Sequence, residues 1–97
     1  MSSDALLDRA LHAIADPTRR RILQALKEGK SSDIRPGFLC GADIEERIRL
    51  SQPTISHHMG ILTKAGLVEA TKQGQWRWYR RNEKAIRKVV KSLRGKL

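Results

Sequence analysis

The stretch Leu50-Ser-Gln-Pro-Thr-Ile-Ser-His-His-Met-Gly-Ile-Leu-Thr-Lys-Ala-Gly-Leu-Val68 decides how the rest of the chain is read. Ile55, Met59 and Leu62 recur at helical spacing, which predicts a helix over 52–65 with one apolar row. Ser51 is placed to cap its start, and Gly66 to end it in a left-handed C-cap. The arc opposite the apolar row holds Gln52, Pro53, Ser56, His57 and Gly60. That arc is small and polar, and no acidic residue occurs between Gln52 and Val68. A helix entering a major groove needs this close approach, with side chains that donate to and accept from base edges. Taken alone, the same periodicity also describes an ordinary surface helix.

The segment after this helix separates the two readings. Residues 67–72 and 75–80 are β-prone runs joined by Gln73-Gly74, the turn chemistry of a hairpin. Lys72 before the tip, with Gln75 and Arg77 after it, suits a phosphate backbone or a minor groove. Trp76 and Trp78 alternate with Arg77 and Tyr79, so the strand presents two rows, one of which packs on the body. Aromatics interleaved with arginines also read as a stacking platform for single-stranded bases, although strand packing more often explains them.

Upstream, residues 41–49 form a short amphipathic helix. Its apolar residues Ile44 and Ile48 are four apart, and Asp43, Glu45 and Glu46 suit the positive end of its dipole. Leu50-Ser51 is then a tight connection. Residues 5–15 form a first helix through Leu6, Leu7, Ala10, Leu11 and Ile14, with Ser3 or Asp4 as cap. Asp16-Pro17 opens a second over 17–28, with Ile22, Leu23, Ala25 and Leu26 inward and Gly29 as its end. Residues 30–39 contain Ser31, Ser32, Pro36 and Gly37 without periodicity, and read as a loop. Asn82 caps a final helix with Ile86, Val89, Val90 and Leu93 inward. Its other face carries Lys84, Arg87, Lys88, Lys91 and Arg94. The expected fold is mainly α with a β-hairpin: four helices, two strands and a fifth helix, a winged helix-turn-helix in one domain over 1–97.

The chain has 97 residues, with 20 Lys+Arg against 10 Asp+Glu and a net charge of +10. This length excludes a multidomain enzyme, and the charge points to a polyanionic partner. No nucleophile–base–acid set and no phosphate-binding glycine loop is present, so an enzyme is not expected. A core this thin favours an oligomer. One cysteine, no basic leader and no run of about 20 apolar residues point to a reducing cytoplasm. The basic last helix has the right sign for an anionic membrane, yet its apolar row lacks an aromatic and fits a dimer seam better.

Four segments in order resemble the ArsR family of bacterial winged-helix repressors: Ala15-Asp-Pro-Thr-Arg-Arg-Arg-Ile-Leu23, Leu50 to Met59, Lys64-Ala-Gly-Leu-Val68, and the wing from Gly74 to Tyr79. The resemblance runs from Leu6 to about Leu93. It implies a homodimer closed by residues 4–15 and 82–94, here through Leu7, Leu11, Ile14, Ile86, Val89 and Leu93. Two copies of the 52–65 helix, with the 67–81 wing beside each, would read a pseudo-palindromic operator in double-stranded DNA. The DNA-binding residues expected are Ser51, Gln52, Pro53, Thr54, Ser56, His57, Lys64, Lys72, Gln75 and Arg77. His58 fills the family's usual histidine position, which implies a helix-positioning role, while His57 points outward.

Many members of that family sense metals through a Cys-x-Cys pair. The matching stretch here is Leu39-Cys40-Gly41-Ala42-Asp43-Ile44, with Ala42 in place of the second ligand. One thiolate is not a metal site, and residues 82–97 contain neither Asp nor His, so no metal or cofactor is expected. His12 reads as an interface histidine, and His57 and His58 project about 100° apart. Cys40 reads as a small semi-buried hydrophobe rather than a redox sensor. The expected function is a sequence-specific, homodimeric DNA-binding repressor, a metal-independent autorepressor released by a sequestering protein or an unidentified effector. The alternative is an architectural or RNA- or single-strand-binding basic protein without sequence preference.

Overall fold

Asp16 divides the N-terminal apolar run into two helices. In the computed structural model, which describes residues 3–28 and 37–97, α1 (Ser3–Ala15) ends just before it and α2 (Pro17–Glu28) starts just after. Gly29 and residues 30–36 of the expected loop lie outside the described residues. Then come β1 (Leu39–Cys40), α3 (Gly41–Ile48), α4 (Gln52–Lys64), β2 (Val68–Gln73), β3 (Trp76–Arg81) and α5 (Glu83–Lys96).

The Asp16 carboxylate accepts from the N–H groups of Thr18 at 2.7 Å and Arg19 at 3.3 Å, an N-cap for α2. Desolvation pushes the Asp16 carboxyl up, but these N–H groups and the positive charge of Arg19 together hold it below its usual value. The last four carbonyls of α1, from His12 to Ala15, have no partner inside a helix that stops there. Two guanidinium groups take them. Arg19 donates to the carbonyls of Ala13 at 2.6 Å and His12 at 3.1 Å, and Arg20 to those of Ile14 at 2.7 Å and Ala15 at 3.0 Å.

Arg19 is the only buried charged residue among those described. Its remaining nitrogen lies 3.2 Å from Nδ1 of His58 on α4. A guanidinium only donates, so Nδ1 accepts and the ring proton sits on Nε2. One side chain thereby joins α1, α2 and α4, and gives His58 the helix-positioning contact expected of it.

The expected hairpin is present, and the sheet adds a short third strand to it. Its order is β1-β3-β2, all antiparallel, with Leu39 opposite Tyr79 and Cys40 opposite Trp78. A two-residue strand has no period to read, and only its partner defines it. The hairpin strands begin and end one residue later than expected, and Gly74 at the tip adopts φ +62°. Gly66 has φ +76°, and the N–H groups of Gly66 and Leu67 return to Thr63 and Leu62, the expected stop for α4. Asn82 caps α5 through the Ala85 N–H at 3.1 Å. Ser51 stands at the N-cap of α4 but makes no cap bond; its hydroxyl instead lies 3.0 Å from that of Thr54. Between α3 and α4, Arg49 takes the left-handed turn at φ +63° with its N–H on the Glu45 carbonyl.

The core is built from Ile22, Leu39, Ile44, Met59, Leu62 and Leu67, with Ala10 and Ala13 letting α1 approach closely. Ile86 and Val89 of α5 pack partly against it. Val90, expected inward, is 60% exposed, and Leu6 of α1 is 52% exposed.

Candidate nucleic-acid interface

Burying Ile55, Met59 and Leu62 turns the opposite side of α4 outward. Gln52, Pro53, Thr54, Ser56 and His57 are all exposed there, as is Ser51 just before them. The surface carries hydroxyl, amide and imidazole groups and no carboxylate, so it can approach base edges without repelling phosphates.

The wing adds the charge. Lys72 and Arg77 are directly opposite one another in the hairpin, and both are exposed. Like charges so placed destabilise a hairpin unless an anion lies between them. Neither makes an ion pair among the described residues. The other arginines of β3 are occupied: Arg80 pairs with Glu69 at 3.1 Å and lies over Phe38, and Arg81 bonds Glu83 and the Leu23 carbonyl. Arg77 is therefore the β3 cation left for a partner.

α4 and the wing meet at a cleft of about 490 Å³ lined by Gln52, Ser56, Gln75, Trp76, Arg77 and Glu45, among others. β1 stops at Cys40, opposite Trp78, and the chain turns into α3. The β3 edge beyond Trp78 is thus unpaired on that side, which opens the cleft. Lys64 is not brought to this surface; it lies at the far end of α4, lining a second cleft with Asp8, Arg9 and His12.

Of the three wing aromatics, Trp78 and Tyr79 are buried and only Trp76, at 50% exposure, is accessible. A stacking platform for single-stranded bases needs several exposed rings, so the single-strand reading loses its basis. Sequence reasoning missed Arg19, which sits in an Arg19-Arg20-Arg21 run that looks like surface charge. It also missed Glu45 and Trp76 as cleft residues, which only the end of β1 brings into register with α4.

On the other side of the molecule, the expected interface residues divide. Leu7 is already buried within the chain, and Ile14, Ile86 and Val89 are half-buried against the core, as are Leu11 and Leu93 in their own surroundings. A groove of about 540 Å³ between α1 and α5 is lined by Leu6, Leu7, Ala85 and Val89, and Lys96 pairs with Asp4 at 3.0 Å across the same two helices.

Cys40, at the end of β1, is bonded to the first turn of α3. Its thiol donates to the Asp43 carboxylate at 3.2 Å, which also accepts the Cys40 N–H and so starts α3. Among the described residues no three His, Cys, Asp or Glu stand close enough to share a metal ion. Burial, aided by the neighbouring Asp43 carboxylate, pushes the Cys40 thiol above its usual value. At neutral pH, iodoacetamide is therefore expected to alkylate Cys40 at least about tenfold more slowly in the folded protein than in urea. Equal rates would show an accessible thiolate.

The family model described as bacterial regulatory proteins of the arsR family matches residues 16–70, from the α2 cap through α4 into β2. The chain belongs to the arsR family. Membership makes it a transcriptional regulator and not an enzyme. Among its relatives, an HTH-type transcriptional regulator of Methanocaldococcus jannaschii is 39% identical over 79 residues, covering 81% of each chain. The transcriptional repressor SdpR of Bacillus subtilis is 37% identical over 84 residues, covering 87% of this chain and 84% of SdpR. The solved ArsR-like transcriptional regulator from Rhodococcus sp. RHA1 superposes with a TM-score of 0.77 at 26% identity, over 97% of this chain and 81% of that one. Its likeness extends the arsR fold past residue 70, through the wing and α5.

Proposed function

We propose that this arsR-family regulator is a homodimeric repressor that reads a pseudo-palindromic operator in double-stranded DNA. The observation that carries the reading is the shared cleft: an uncharged, hydrogen-bonding helix end beside a hairpin tip with two unpaired like charges. Gln52, Ser56 and His57 contact base edges in the major groove, Ser51, Pro53 and Thr54 bring the start of α4 close to the DNA, and Lys72, Gln75 and Arg77 hold the backbone. Lys64 contributes to the general field rather than to this contact. Dimerisation through α1 and α5 supports the palindrome, because a two-fold axis presents two copies of α4 to two half-sites. Release comes from a sequestering protein or another effector in the cytoplasm, not from a metal held by Cys40.

The test is fluorescence anisotropy against DNA from upstream of the protein's own gene and against scrambled DNA, at two salt concentrations. A preference of about a thousandfold or more is expected for the upstream DNA. Equal binding that fades steeply with salt would leave only phosphate attraction. Gln52→Ala or Ser56→Ala should weaken operator binding by about 1–3 kcal/mol and relax base preference, whereas Lys72→Ala should weaken all sequences alike. Equal losses on both DNAs for Gln52→Ala would remove α4 from the reading role.

A further inference from the structure

Trp76 is the one large aromatic of the wing that the fold leaves half in water, at 50% exposure, while its neighbours Trp78 and Tyr79 are each 6% exposed. A half-exposed indole at a hairpin tip contributes little to the core, and Gln73, its cross-strand partner, is itself exposed. Trp76 also lines the cleft shared with Gln52 and Ser56 of α4, next to Arg77. The other charge on that cleft is negative. Glu45 of α3 lines the same space, and its carboxylate makes no ion pair among the described residues.

These groups sort what the cleft can hold. Phosphates are drawn to the Lys72 and Arg77 pair and repelled from Glu45. The uncharged part of a DNA strand between two phosphates is the deoxyribose, whose apolar face suits the face of an indole. Resting on the DNA-binding reading above, we propose that Trp76 packs on a deoxyribose of one DNA strand. Arg77 holds an adjoining phosphate, and Glu45 keeps phosphate out of the rest of the cleft. The contact is apolar and sequence-independent, so it adds affinity without adding a counterion-releasing charge.

The salt dependence separates this contact from a phosphate contact. Anisotropy titrations with the upstream DNA and a random duplex are made across a salt series for wild type, Trp76→Ala, Trp76→Phe and Arg77→Ala. Trp76→Ala is expected to lose about tenfold in affinity on both DNAs with an unchanged salt slope, and Trp76→Phe much less. Arg77→Ala is expected to lower the slope by about one unit. In parallel, duplex should protect wild-type tryptophan emission from acrylamide quenching. Trp76→Phe, which retains the buried Trp78, should show no such protection and keeps the test valid should the alanine variant not fold. Unchanged affinity in Trp76→Ala, a one-unit slope change in that variant, or no protection by duplex would each overturn the proposal. A wild type that binds both DNAs alike but protects Trp76 would overturn operator reading and leave the sugar contact standing. Absence of any DNA binding would overturn both.

Discussion

Arg19→Met is expected to lower the unfolding free energy by about 3 kcal/mol, a large share of what a domain of this size has. Met keeps most of the buried stem, so the loss reports the guanidinium rather than a cavity. Removing the guanidinium orphans the carbonyls of His12 and Ala13 and leaves His58 Nδ1 without its partner. A buried group left unsatisfied costs about 1–3 kcal/mol, in full for the Ala13 carbonyl and in part for the partly buried His12 carbonyl and His58 ring. The Asp16 contact, at 3.7 Å with Asp16 one-third exposed, contributes little to that sum. Arg19→Lys should recover less than half, because one ammonium cannot span three acceptors lying in different directions. Urea unfolding at constant m-value measures both variants. A loss below about 1 kcal/mol for Met would mean that the α1 carbonyls find other partners.

Val90→Asp should leave the folded chain intact and abolish the dimer. At 60% exposure Val90 has little to lose within its own chain, whereas Val89 beside it packs on the core and would confound folding with association. In an α1–α5 seam the new carboxylate would have to be desolvated, a cost that its helix neighbours Arg87 and Arg94 offset only in part. Operator affinity should then fall by about a thousandfold or more, since each half-site must be bound separately. Sedimentation velocity reads the first effect and anisotropy the second. A Val90→Asp protein that still sediments as a dimer would place the seam elsewhere.

The helices and their ends were legible because each depends on neighbours within one turn. Asp16 and Asn82 bond N–H groups two or three residues on, and Gly66 supplies a positive φ that its own lack of a side chain permits. The Ile55, Met59 and Leu62 row was legible for the same reason, and so was the polar arc opposite. The features that stayed hidden depend on distant partners. β1 exists only because β3 accepts it, and Trp76 and Trp78 share one strand face by alternation yet differ in burial through surroundings no local pattern encodes. Arg19 is polar in composition and structural in place. Leu6 and Leu7 are adjacent in the same apolar run, and only tertiary packing makes one exposed and the other buried.

Cys40 meets Trp78 only after α3, α4 and β2 have been traversed, whereas β2 and β3 meet across a single turn. The two pairings therefore differ in the entropy of closing their loops, and the hairpin can form well before β1 docks. Running in reverse, the same difference makes β1 a weak seam in the native protein. Its amides should exchange with solvent through a partial opening that spares the hairpin, and α3, which begins at the next residue, would be loosened with it. Since α3 supplies Glu45 to the cleft, the order in which this molecule breathes begins beside the surface proposed to grip DNA.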